Sequence, residues 1–259
     1  MGALCLQLAG VALWHLGHPE RALARCRQAL DLARELAHQN SLGSALFFLG
    51  YLHVLRREPA AARPPAEALL ALAEEHGFPF WAAGGTAILG WTMAETGHGP
   101  DGIARMREGL AAWRTAGTQL LRPLFLPVLA EACGHLGTAD EGLRIVEEAL
   151  FFVSQNAELM TEAEIHRVRG ELLCAARSLD AEPAFRYALE IARHQGAPAL
   201  ALRAATSLGR LLADDGRGAE VRRLLGELHA GFTEGHDTPD LRDAAALLIR
   251  LEPSAGATG

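Results

Sequence analysis

Apolar and polar positions along this chain return in a fixed order about every 40 residues. The stretch from Leu129 to Leu150 serves as the template: the end of one helix, a turn at Gly137, then a second, amphipathic helix of interleaved apolar and charged residues. A small residue sits inside the first helix of each unit, at Gly10, Gly50, Gly90, Ala130, Gly170 and Gly209. The turn column reads Gly17, Arg57, Gly97, Gly137, Arg177 and Gly216, and the second helices carry Ala22, Ala62, Gly102, Gly142 and Ala184. Further along come Leu30, Leu70, Leu110 and Leu150. Small residues at fixed places in both helices let them cross closely, and the Leu fills the gap to the next unit. The pattern predicts an all-α, right-handed superhelical array of about six helical hairpins over residues 1–252, with a flexible tail at 253–259.

Punctuation sets the expected helices. They are Gly2–Leu16 and Glu20–Ala37; Ser41–Leu55 and Pro59–His76; Phe80–Thr96 and Asp101–Ala116; Pro123–Leu136 and Thr138–Val153; Thr161–Ala176 and Glu182–Gln195; Pro198–Asp214 and Arg217–Gly231. A capping helix, Pro239–Leu251, is expected to start at an N-cap Thr238. Pro64 and Pro65 fall inside a predicted helix, where each removes a backbone donor, so that helix is expected to kink or to begin late. Pro127 should distort the start of its helix in the same way.

Composition agrees with helix: Ala, Leu, Glu and Arg dominate, and half the residues are apolar. Every one of the 24 basic residues is Arg, and the net charge of -7 is spread without a basic block, which argues against a nucleic-acid partner. Cys5, Cys26, Cys133 and Cys174 are widely spaced with no CxxC pair, and are read as reduced and mostly buried. No apolar run is long enough to span a bilayer, and no signal peptide is apparent, so the expectation is a cytoplasmic protein without a membrane partner.

Several segments carry a narrower resemblance: Gly109-Leu-Ala-Ala-Trp-Arg114, Glu162-Ala-Glu-Ile-His-Arg-Val-Arg-Gly-Glu-Leu-Leu173, Ala188-Leu-Glu-Ile-Ala-Arg193 and, most specifically, Gly231-Phe-Thr-Glu-Gly-His-Asp-Thr-Pro-Asp-Leu241. With the hairpin period, they resemble the tetratricopeptide-repeat C-terminal region of bacterial proteins that join a class III adenylate/guanylate cyclase to a STAND-type ATPase. The resemblance implies a signal-transduction scaffold that binds a protein or peptide, with a cyclase or ATPase as candidate partner. It does not carry either activity over, because the chain has no GxxxxGK[ST] loop and no room for a cyclase domain. It also implies that the first repeat lacks an upstream neighbour, leaving an apolar face open to self-association.

In the tetratricopeptide register the first helices line a concave groove. That places Gln7, Phe47, Tyr51, Trp91, Glu131, Arg167, Glu171, Arg203 and Arg210 inward, aromatic toward the N-terminus and charged toward the C-terminus. Such a groove offers aromatic anchors and carboxylate-reading Arg forks; the plainer reading is inter-repeat core and mutual ion pairs. Charge reversal at Arg167 and Arg203 is expected to weaken partner capture without unfolding the chain. Glu162 and Glu164 diverge on a helix, Ser207 lacks a His–Asp partner, and the histidines match no zinc spacing. The chain is therefore expected to be non-catalytic, without metal or cofactor. The alternative is a small-molecule sensor, which an enclosed polar pocket would favour over an open groove.

Overall fold

The computed structural model describes residues 2–156 and 159–252, and among them it is all-helical. Thirteen α-helices follow one another as packed neighbours: α1 (Gly2–His15), α2 (Pro19–Glu35), α3 (Gln39–Leu55), α4 (Pro59–His76), α5 (Pro79–Glu95), α6 (Gly99–Thr115), α7 (Arg122–His135), α8 (Ala139–Asn156), α9 (Glu162–Ala175), α10 (Ala181–His194), α11 (Pro198–Asp214), α12 (Gly218–Ala230) and α13 (Pro239–Arg250). The chain is an α-solenoid of helical hairpins. The tail from 253 lies outside the described residues.

The period is written in the turns. Gly17, Arg57, Gly97, Gly137, Arg177 and Gly216 all have positive φ, between 55° and 94°. A second column, Ala37, Gly77, Gly117 and Gly196, does the same between units. At each except Ala37, the amide one residue beyond bonds back across the last helical turn. His18 reaches Leu13, Glu58 reaches His53, Thr138 reaches Cys133 and Arg217 reaches Leu212. This left-handed cap uses up the orphan carbonyls and reverses the chain in two residues. Arg57, Arg177 and Ala37 adopt it without being glycine, at a local backbone cost.

The small columns are contact points between helices. A Cβ on Gly90 would lie 2.5 Å from the Met106 nitrogen and 2.8 Å from the Gly102 oxygen, so α5 and α6 touch backbone to backbone. The prolines in α4 act otherwise than expected. The helix begins at Pro59 and runs through both, with Pro64 exposed and the Pro65 ring buried. Pro127 likewise sits buried inside α7. Apolar packing of the buried Pro65 and Pro127 rings offsets the missing backbone bonds. Thr238 does precede α13, but its hydroxyl donates to the Gly235 carbonyl at 2.6 Å and makes no cap.

The open groove does not form, because the array closes. The first helices of the hairpins (α1, α3, α5, α7, α9, α11) pack in sequence, and α11 also packs on α1. Between α12 and α13 the chain reaches back to the first hairpin. Phe232 lies against Gly17, and the Glu234 carboxylate accepts the backbone N–H groups of Glu20 and Arg21, each at 3.1 Å. The Gly235 N–H returns a bond to the Glu20 carboxylate at 3.1 Å. His18, the N-cap residue of α2, makes no side-chain cap. Glu234 therefore caps α2 from 214 residues away in sequence.

Candidate functional site

Closing the ring turns the concave face into a lumen with two chambers. Leu124, Met160 and Thr161 border both. One chamber, about 340 Å³, lies at the C-terminal ends of the inner helices. Among its walls stand six carboxylates (Glu95, Glu131, Glu164, Glu171, Asp240, Asp243) and four guanidinium groups (Arg57, Arg167, Arg203, Arg210).

These charges are arranged as a connected network. Arg167 is the centre: its guanidinium donates to Glu131 at 2.6 Å, to Glu164 at 2.8 and 3.0 Å, and to Glu171 at 3.4 Å. Ser207 donates to Glu171 at 2.5 Å. Arg203 donates to Asp240 at 2.8 Å, to Glu164 at 3.3 Å and to the Leu55 carbonyl, and lies 4.8 Å from the Trp14 ring centroid. Arg57, from the α3–α4 turn, reaches Asp240 at 3.3 Å and Asp243 at 3.0 Å on α13. Arg210 joins Asp243 at 2.9 Å. The network thus belongs to the chamber wall and to the closure at once.

Burial alone would push the Glu131 and Glu164 carboxyls up; the Arg167 guanidinium, joined by Arg203 at Glu164, outweighs it and holds both down. At His135 an ion pair with Glu95 at 3.6 Å raises the imidazole. His15 goes the other way, lowered chiefly by burial, while its Nδ1 bonds the Val11 carbonyl at 2.9 Å.

Seven of the sequence-derived groove residues line this chamber: Tyr51, Trp91, Glu131, Arg167, Glu171, Arg203 and Arg210. Phe47 does not. It is fully buried, stacked on Tyr51 at 6.3 Å and within 6.1 Å of the Trp81, Trp113 and Phe125 rings. Tyr51 and Trp91 are also almost wholly buried, at 2% and 5% exposure, so they are walls and not projecting anchors. Arg167 and Arg203 are each committed to carboxylates and are not free forks. Reversing either would leave buried acids facing acids, a loss on the order of 3–5 kcal/mol. The expectation that reversal spares the fold is therefore corrected.

Glu164, Asp240, Asp243 and Arg57 were not placed in the groove from the sequence, although they line this chamber. A signal was there: Glu131, Arg167, Arg203 and Asp240 recur at steps of 36, 36 and 37 residues on every second helix, α7, α9, α11 and α13. Two cysteine expectations also change, since Cys5 is exposed and Cys174 half-buried. Among the described residues no cluster of potential ligands could hold a metal ion. No described helix is long and apolar enough to cross a membrane.

The second chamber, about 700 Å³, opens at the N-terminal ends of the inner helices. Leu4, Gln7 and Leu8 of α1, Phe48 of α3, Phe80 and Trp81 of α5, Leu120 and Leu121 before α7, Pro123 and Leu124 at its start, and residues 159–161 surround it. Among the described residues none that lines it is ionisable.

No protein-family model matches the chain. An uncharacterized protein of Rhizobium meliloti (strain 1021) is 27% identical to it over 207 residues, covering 79% of this chain and 20% of that protein. The chain thus spans about a fifth of the length of the curated relative it matches.

Proposed function

We propose that this chain is a non-catalytic regulatory module that senses a small molecule inside its closed solenoid, serving a longer signalling protein of the cyclase–ATPase kind that its sequence resembles. One observation carries the reading: α11 returns to α1, so the inner face bounds chambers of about 340 and 700 Å³. Those volumes suit metabolite-sized ligands, which occupy sites of roughly 300–1,000 Å³. Closure narrows the groove that an extended peptide would occupy, which favours a compact ligand. The paired state of the chamber's guanidinium groups also speaks against a nucleophile or general base held in readiness.

A thermal-shift screen of the purified chain against metabolites tests this. A lumen ligand at a hundred times its Kd adds about 2.7 kcal/mol, which for a chain of this size is a rise of roughly 5–10 °C. A screen in which no compound shifts the transition, while a peptide or protein binds indifferently to lumen substitutions, would reinstate the scaffold reading. That second reading has one observation of its own: exposed apolar side chains gather at the mouth of the larger chamber, and such patches also mark protein contacts.

A further inference from the structure

One position recurs on four inner helices at steps of 40 residues: Tyr51 on α3, Trp91 on α5, Glu131 on α7 and Glu171 on α9. Those helices pack in that order, so the four side chains stand side by side on the wall of the 340 Å³ chamber, which all of them line.

The two aromatic members carry polar atoms with nothing to bond. Tyr51 is 2% and Trp91 5% exposed, yet neither the Tyr51 hydroxyl nor the Trp91 Nε1–H makes a hydrogen bond among the described residues. Buried Tyr and Trp tips ordinarily find a partner. Trp81 Nε1 donates to Asn40 at 2.7 Å, and Trp113 Nε1 to the Phe80 carbonyl at 2.9 Å. Nor are the two atoms sealed in the packing, as the unpaired Gln7 Oε1 and Thr161 Oγ1 are. The surface they keep opens on this chamber, because Tyr51 and Trp91 line it and do not line the apolar one. The indole can only donate; the phenol can donate or accept.

The charge beside them is unbalanced. Among the described residues six carboxylates line the chamber against four guanidinium groups, an excess of two negative charges that a protonated His135 would cut to one. Arg167 alone serves Glu131, Glu164 and Glu171, and Glu131 and Glu171 stay partly exposed, with acceptor positions open. The half-exposed cations, Arg57 and Arg210, are both held by Asp243, at 3.0 and 2.9 Å. An anion would have to break those pairs, whereas a cation meets carboxylates that still lack a counter-charge.

We propose that the charged chamber is the ligand site and that it takes a small organic cation: a protonated amine that lies against Glu131 and Glu171, with a hydroxyl or carbonyl oxygen a few bonds away that accepts from Trp91 Nε1 and meets the Tyr51 hydroxyl. This rests on the sensing reading and names its ligand class. The excess charge repels an anion, and a neutral polyol leaves that excess uncompensated. A plain alkylamine leaves the Trp91 N–H unpaired.

Calorimetric titration of the intact chain at neutral pH tests the assignment, with 1,3-diamino-2-propanol as probe and 1,3-diaminopropane, glycerol and 3-hydroxyglutarate for comparison. One molecule of the hydroxy-diamine should bind per chain, at least roughly tenfold more tightly than glycerol or 3-hydroxyglutarate. It should also bind several-fold more tightly than the diamine that lacks the hydroxyl. Glu131→Gln keeps the shape of the wall and should weaken the probe about tenfold while circular dichroism shows the helices intact. Tyr51→Phe should weaken it several-fold while the free chain keeps or gains thermal stability, because the hydroxyl has no protein bond to lose. Failure of both diamines to bind, equal affinity for glycerol or 3-hydroxyglutarate, or a probe affinity unchanged in both variants overturns the proposal. A neutral or anionic metabolite from the thermal screen whose stabilisation survives Glu131→Gln defeats this inference and leaves the sensing reading standing. A screen in which nothing shifts the transition, amines included, defeats both.

Discussion

At the scale of single residues, the histidines give the fold a pH dependence that can be signed. His166 is buried, with its ring edge-on to Tyr187 at 4.7 Å. Burial, aided by the nearby Arg169 charge, lowers its pKa from 6.5 to about 4. The unfolded chain takes up this proton near pH 6.5, while the folded one resists until about pH 4. Between those values the unfolded state holds more protons, so stability is full above pH 6.5 and falls as pH drops through the window. The loss is at most about 3 kcal/mol, at 1.36 kcal/mol per unit. Glu58, held at about 2 because bonds to His53 and Arg56 outweigh its burial, releases its contribution only below its ordinary 4.5. The two groups therefore act mainly in different pH ranges. We predict that His166→Phe flattens the fall between pH 6.5 and 4 in urea-unfolding series. Parallel curves for the variant and the parent chain would assign the acid sensitivity elsewhere, with His15, lowered by burial, the next candidate.

At the scale of elements, the small-residue column makes unequal demands. On Gly90 a Cβ would strike the α6 backbone, which cannot yield without parting the hairpin; on Gly50 it would meet the tip of Ile88 at 3.0 Å. Gly90→Ala is predicted to cost about 1–3 kcal/mol. Gly50→Ala is predicted to cost less, because the helix gains roughly 0.5–1 kcal/mol from losing a glycine and Ile88 can turn aside. Equal midpoint shifts in urea would show that backbone contact does not set the column. This contrast also explains what the sequence discloses. Helix period, left-handed turns and close crossings are local demands, so each leaves a residue at a fixed step, and the hairpins could be placed within a few positions. The Pro64–Pro65 pair misleads because the benefit of burying Pro65 comes from packing outside its own helix. The charged wall was half legible. Register brought Glu131, Arg167, Glu171 and Arg203 to the inner face, but two further acids that meet the arginines, Glu164 and Asp240, come from one turn away on α9 and from α13 at the far end of the described chain.

At the scale of the whole molecule, closure is the property that no repeat contains. It depends on rotation summed over all the hairpins, and on a few contacts that lock the sum: Arg203 to the Leu55 carbonyl, Arg57 to Asp240 and Asp243, Arg56 to the Pro19 carbonyl at 2.7 Å, and Glu234 on the start of α2. The segment that supplies Glu234 also places Phe232 against Gly17, so its sequence serves the lock. The chambers take walls from α1 and from helices far along the chain, so a lumen ligand binds the closed ring and must favour it over an opened one. Glu234→Ala removes the distant cap without touching either chamber. Stability should fall by about 1 kcal/mol, and amide hydrogen exchange at Glu20 and Arg21 should quicken. Affinity for a lumen ligand found in the thermal-shift screen should fall by the fraction of rings that stand open. That ligand at saturation should in turn slow exchange at Glu20 and Arg21, since coupling between two sites is reciprocal. Faster exchange with unchanged affinity would mean that the clasp and the lumen are independent, and that the ring closes for stability alone.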